Sequence, residues 1–355
     1  MPSRCFGDWL RRVYHGDVDG LSKVYGSQPF TPTSSNPKIK AAMTENTGLQ
    51  GAYAVPSEYG NSMLKTMAEK AIFRQRCHVE PMGSRTKQLG VVDAISAHAA
   101  GISPFFGGLT FFYQSEGQTR TEVEPTFRQM ELTAWELSGY CVVNNTWLED
   151  AVGNENWFKQ LLIDACRWVE DYAFTQGTGV GQPLGILNAP CAIKVGRTTA
   201  SHIRFADFSA MLAKLPPGSL NRAMWLVSEG ALIDFTQAQD ASGRASWLPN
   251  DGIENLADRT GQPLGSVMSC PVYATEKLPA LGTLGDLCLI DPAWYIIGDR
   301  QEIAIDIARQ ATLTTWQQNK SVIRVILRSD GQPVFPSSIT LQDNATTVSP
   351  IVLLN

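Results

Sequence analysis

The 355-residue sequence predicts an α+β fold, and three observations carry that prediction. A long, one-sided helix is written between Trp157 and Thr175. Apolar residues alternate with polar ones at Met130, Leu132 and Ala134, and again at Ile303, Ile305 and Ile307, which is the two-residue period of a strand. Between Phe205 and Ile290 helix and strand signals take turns, so that region reads as a compact α/β layer.

The helix is the strongest local signal. Trp157, Phe158, Leu161, Leu162, Ala165, Trp168, Val169, Tyr172 and Ala173 recur at spacings of three and four, which places them on one face. Trp157, Leu161, Leu162, Trp168 and Tyr172 are its expected core. Lys159, Gln160, Asp164, Arg167, Glu170 and Asp171 fall on the opposite, polar face. Asn154 is placed to cap the first turn, and Gly177 to close the last one in a left-handed conformation.

From the N-terminus, residues 1 to 27 carry a short amphipathic pattern, with Phe6, Trp9 and Leu10 on the apolar side. Three prolines between Ser27 and Pro37, with no periodicity, describe an extended arm. Ser57 to Phe73 reads as helix and 77 to 93 as strand. The segment from Ile95 to Pro125 then combines glycines with Phe105, Phe106, Phe111, Phe112 and Tyr113. So many aromatics in a glycine-rich loop suit a projecting hairpin whose tip rests on a neighbour; composition equally allows a core hairpin. A long strand is expected from Phe127 toward Val143. Beyond the helix, the expected elements are a helix at Phe205 to Leu215, a strand at Met224 to Val227 and a helix at Glu229 to Gln239. Strands at Val267 to Thr275 and Leu287 to Ile290 follow. Two closing strands, at 303 to 307 and Val322 to Leu327, end in an Asp330-Gly331 turn.

Composition limits the function. The chain is 43% apolar and 18% charged, which is globular. A net charge of −5, with no lysine-arginine block, argues against tight nucleic-acid binding. Seven cysteines without a CxxC pair give neither a disulfide framework nor a zinc site, and read as small hydrophobes in a reducing compartment. No apolar run is long enough to span a bilayer and no secretory signal is evident. There is no P-loop and no GxSxG nucleophile elbow. The glycines at 177, 179 and 181 follow a helix instead of a strand, so they read as a helix terminator and not as a dinucleotide loop. The HxE at His78 and Glu80 lacks the PCxxC partner of a zinc deaminase, because Lys194 stands where the second cysteine would be. The histidines show no ligand spacing. No catalytic, cofactor or metal residue is therefore assigned.

The order of features resembles the major capsid proteins of tailed bacteriophages, the Hong Kong 97 fold, from about Lys40 to Leu341. The residues that carry the resemblance are KAAMTENTGLQGAYAVPSE at 40 to 58, the aromatic-glycine hairpin, the long strand through Trp135 and the helix ending FTQGTGVGQPLGIL at 174 to 187. GQPLGSVMSCPVYATEKLP at 261 to 279 and QNKSVIRVILRSDGQPV at 318 to 334 complete the set. The resemblance implies an N-terminal arm at 1–56 and a peripheral domain at 57–93, 126–188 with a spine helix, and 303–343. It further implies an extended loop at 94–125, an axial domain at 189–302 and a C-terminal tail at 344–355. It implies no enzyme and no cofactor. The implied role is self-assembly into hexamers and pentamers of an icosahedral head around double-stranded DNA, which would be touched loosely and nonspecifically. Implied partners are many copies of the chain, a portal, a scaffold and decoration proteins, with no membrane; the location is the virion, assembled in the host cytoplasm.

Phe105, Phe106, Phe111, Phe112 and Tyr113 of the loop, and Phe6, Trp9 and Leu10 of the arm, are the expected contacts between subunits. The family's type member welds its shell through a loop lysine, but no lysine lies between Lys87 and Lys159 here, so aromatic packing is expected instead. The stretch before the arm is too short for a fused scaffolding domain, and Ile351 to Leu354 is expected to dock on a neighbour or a decoration protein. The alternatives are an encapsulin-like compartment shell and a soluble α/β enzyme with an unrecognised site.

Overall fold

The structure, a computed structural model, describes residues 71–94, 102–120, 122–146, 154–239, 243, 247–249, 263–309 and 312–355. All of these belong to one compact unit, Asn61–Asn355. The arm residues Phe6, Trp9 and Leu10, and the expected helix as far as residue 70, lie outside them. Within them, Ala71–Phe73 is not helical; Ile72 and Phe73 are instead buried in a turn.

Two sheets organise the chain. The first has four strands, in the order β1 (His78–Pro81), β11 (Tyr295–Ala308), β12 (Lys320–Pro333) and β4 (Trp135–Asn144). β1 runs parallel to β11 and the other pairs are antiparallel. The second has seven strands, in the order β5 (Ile193–Val195), β15 (Ile351–Leu354), β10 (Leu287–Ile290), β6 (Met224–Ser228), β9 (Cys270–Thr275), β8 (Gly265–Val267) and β7 (Trp247–Pro249). A two-stranded ribbon of β2 (Thr86–Val92) and β3 (Phe127–Thr133) carries the aromatic loop at its end. β13 (Ile339–Thr340) and β14 (Thr347–Val348) form a small hairpin. The helices are α1 (Asn154–Gln176), α2 (Phe205–Leu212), α3 (Leu232–Gln237) and α4 (Leu313–Gln317).

The seven-stranded sheet encloses the tightest core. Every residue of β6, β10 and β15 is buried, as continuous apolar runs covered on both faces should be. Phe208 of α2 meets Trp225 and Phe235 edge-on, at ring separations of 5.4 and 5.0 Å. A second core joins Phe73, Phe174 and Tyr295, and the Tyr295 hydroxyl donates to the Leu184 carbonyl oxygen at 2.8 Å.

Five expectations need correction. Residues 127 to 144 are two strands, not one: the chain changes sheets at buried Ala134, so β3 pairs with β2 and β4 with β12. Asp330-Gly331 is no turn but the interior of β12, where the Asp330 carboxylate accepts the Thr133 N–H at 2.7 Å. Glycine is needed at 331 because a Cβ there would stand 2.7 Å from the Tyr295 hydroxyl and 2.8 Å from the Phe174 ring. Gly177 follows α1 without a left-handed φ; it is glycine because a Cβ would collide with the Ala173 and Pro183 carbonyl oxygens, while Gly179 and Gly181 take the positive φ values of 79° and 71°. Ile351 to Leu354 does not reach out to a partner: as β15 it lies inside the seven-stranded sheet, parallel to β5 and antiparallel to β10. The expected 302/303 boundary likewise falls inside one continuous strand, β11.

Candidate assembly surface

The loop begins where β2 ends. Its neck is closed by three backbone bonds: Asp93 N–H to the Thr126 oxygen, Thr126 N–H to the Gly107 oxygen, and Leu109 N–H to the Phe106 oxygen. Gly107, with φ 63°, makes the bend; a Cβ would sit 2.9 Å from the Thr126 oxygen. Beyond the neck the described chain forms no ladder as far as Thr126. Phe106 and Phe112 are each 61% exposed, Phe111 is 89% exposed, Tyr113 is wholly exposed and Phe105 is at the margin. The loop is therefore not a core hairpin in this chain. Exposing this much aromatic surface is unfavourable by about 25 cal/mol per Å² relative to covering it.

Further apolar side chains are exposed on the four-stranded sheet and near its far end: Tyr140 and Val142 on β4, Ile307 on β11, and Leu313 and Trp316 on α4. Among the described residues β4 is an edge strand, paired with β12 alone.

The helix differs from its sequence reading. Of its expected core, Leu161 and Tyr172 are exposed, and Trp157, Leu162 and Trp168 are half-buried. Trp168 stacks on Tyr172 at 5.5 Å and donates its indole N–H to Glu276 at 2.6 Å. What α1 buries is Glu170, Asp171, Phe174 and Thr175. The Asp171 carboxylate accepts the Ile72 and Phe73 N–H groups, both at 3.0 Å, and meets the Lys277 ammonium at 2.9 Å. Glu170 binds the Arg74 guanidinium, which also reaches Asp299 at 2.6 Å. Burial works against the Arg74 charge, but the two carboxylates outweigh it and hold its pKa above the ordinary value. Buried carboxylates are tolerable only when paired in this way, and their partners lie about a hundred residues away in sequence, out of reach of periodicity.

No side-chain cluster among the described residues is arranged for catalysis. Among the described residues no group of His, Cys, Asp and Glu could hold a metal ion. The described cysteines are unpaired, and burial pushes the Cys191 thiol up to about 11, away from nucleophilic use. His78 and Glu80 sit 3.3 Å apart on β1 beside Lys87, as a polar cluster in which only His78 is exposed. No described helix is long and apolar enough to cross a membrane.

A model of the phage capsid family matches residues 51–343. The chain belongs to that family. As a capsid protein it is a structural shell subunit, built to meet many copies of itself in the virion, and not an enzyme. Its Hong Kong 97-like fold is shared with solved capsids at low sequence identity. The capsid of an empty GTA particle superposes with a TM-score of 0.65 at 16% identity, over 88% of this chain and 99% of that one. The native GTA capsid gives 0.66 at 15%, with the same coverage. A structure from Mycobacterium phage Bobi gives 0.59 at 15%, over 88% and 98%. No curated protein matches.

Proposed function

We propose that this capsid protein is the major subunit of an icosahedral phage head, arranged as hexamers and pentamers around double-stranded DNA. The loop at 94–125 is the principal contact between copies. The observation that carries this reading is the set of uncovered aromatics from Phe105 to Tyr113. Such a surface is stable in water only when a neighbour covers it, and closed symmetric assembly supplies neighbours to every copy at once. Each contact can then be weak, since a subunit held in several places leaves slowly. The arm, through Phe6, Trp9 and Leu10, adds a second contact, and Trp157, Leu161, Leu162, Trp168 and Tyr172 of α1 offer a further half-covered surface for a neighbour.

In this reading residues 57–93 and 126–188 with strands β11 and β12 form the peripheral domain, and the seven-stranded sheet with its helices forms the axial domain, which meets its copies at the five-fold and six-fold axes. A portal, a scaffold and decoration proteins are its other partners, and assembly takes place in the host cytoplasm. With a net charge of −5 the subunit touches DNA only through weak, salt-dependent contacts. With no lysine between Lys87 and Lys159, the loop is held by packing instead of a covalent weld.

Replacing Phe105, Phe106, Phe111 and Phe112 together by serine tests the reading. We expect fewer particles, and those that form should come apart at lower temperature in a light-scattering melt. Normal yield with unchanged heat stability would overturn it.

A further inference from the structure

The aromatic loop and the edge of β4 have complementary deficiencies. Leu109 to Tyr113 reads Leu-Thr-Phe-Phe-Tyr, a composition that favours strands. Among the described residues it pairs with no strand, and residues 111 to 114 make no hydrogen bond. Phe111 and Tyr113 point to one side of an extended chain and Phe112 to the other, yet all three are exposed, so neither side packs on its own subunit.

Among the described residues β4 has no partner on its outer edge. It has ten residues in unbroken register with β12, from Trp135 opposite Ser329 to Asn144 opposite Lys320. Alternate residues turn their N–H and C=O groups away from β12, where no described strand meets them. An open edge invites pairing, and proteins ordinarily blunt it with lysine, proline or a bulge. The same sheet shows the contrast. β11 extends past its short partner β1, and there its register shifts twice, between Asp299 and Gln301 and between Gln301 and Ala304. β4 has no bulge, no lysine and no proline; its one charged residue, Glu136, is engaged by Arg328 at 2.7 Å. Gly139 at its middle leaves open space around the backbone. Tyr140, 77% exposed, and Val142 offer apolar surface beside the edge.

The geometry points to strand addition between copies: residues Leu109–Tyr113 of one subunit pair along the outer edge of β4 in a second copy, extending its four-stranded sheet by one strand. This rests on the loop being a contact between copies, and it names the surface that receives the loop. Main-chain bonds to β4 supply the attachment, and the phenylalanines lie beside Tyr140 and Val142. The contact is heterologous, because loop meets edge and not loop meets loop, so it continues from copy to copy around a ring.

Cysteine pairs test it in assembled particles of the full chain. In a Cys141→Ser background, Tyr140→Cys is combined in turn with Phe111→Cys, Phe112→Cys and Tyr113→Cys, which covers both sides of the added strand. Paired strands bring facing Cα atoms to about 4.5–5.5 Å, within the span a disulfide bridges. We expect at least one pair, on mild oxidation, to give a ladder of linked chains running past dimers, with the loop and β4 peptides joined. Dimers from Tyr140→Cys alone, which would mean β4 pairing with β4, overturn the proposal, as do links to another protein or no link from any pair. Amide hydrogen exchange on unaltered particles gives a second readout. Alternate amides of Trp135–Asn144 should exchange at least tenfold more slowly in the particle than in the free subunit, and equal rates overturn the proposal. If the four-serine variant weakens particles while no pair links, the loop contact stands and strand addition falls. If the four-serine variant is normal, both fall.

Discussion

Asp330 shows how one buried side chain can set a pH dependence. It lies inside β12, where burial pushes its carboxyl up to about 6 although the Thr133 and Gly331 N–H groups favour the charged form. A folded pKa above the unfolded value of 3.8 means that the folded state holds the proton more tightly. The stabilisation is complete below about pH 4 and is lost as pH rises through about 6. Roughly two pKa units correspond to about 3 kcal/mol at 1.36 kcal/mol per unit. Asp330→Asn keeps an oxygen for the Thr133 N–H and removes the titration. In urea unfolding of the free subunit, the variant should therefore gain about 3 kcal/mol on the parent between pH 4 and pH 7.5. Parallel pH profiles for the two proteins would show that Asp330 is not the titrating group. Asp171 is held differently, by two backbone donors and the Lys277 ammonium.

Among the elements, β15 departs furthest from its sequence reading. Ile-Val-Leu-Leu near the chain end looks like a greasy tail until the strands on either side of it are known, and those begin at Ile193 and Leu287. Leu353 is wholly buried, opposite Cys288 and Lys194. Leu353→Ala should therefore cost the free subunit about 2–5 kcal/mol in urea unfolding. A surface tail would lose no more than about 0.5 kcal/mol. The same limit explains the other differences. Local periodicity located α1, β6, β10 and the two long closing strands, because each is a property of neighbouring residues. It misassigned the buried face of α1, since the groups that neutralise Glu170 and Asp171 come from Arg74 and Lys277. It joined β3 to β4, since alternation continues through Ala134 while the pairing partner changes. At the candidate assembly surface the loop aromatics were legible as an excess with nothing local to cover them. The open edge of β4 was not, because being an edge is a property of sheet order.

For the whole molecule, the balance of forces between copies follows from charge and surface together. Each subunit carries 29 basic and 34 acidic residues, a net −5, so like copies repel at long range. Large apolar and aromatic side chains, among them Phe106, Phe111, Phe112, Tyr113, Tyr140, Leu313 and Trp316, are left uncovered on the described surface, and their burial does not depend on charge. Salt therefore acts on the two forces unequally. Raising ionic strength from 0.1 M to 1 M shortens the screening length from about 10 Å to about 3 Å, which removes the repulsion and leaves apolar burial intact. The concentration of free subunit at which empty particles form should accordingly fall as salt rises, measured by light scattering across a sodium chloride series. A threshold that rises with salt would mean that ion pairs hold the copies together, and the uncovered aromatics would then have to be covered by something other than a neighbouring subunit.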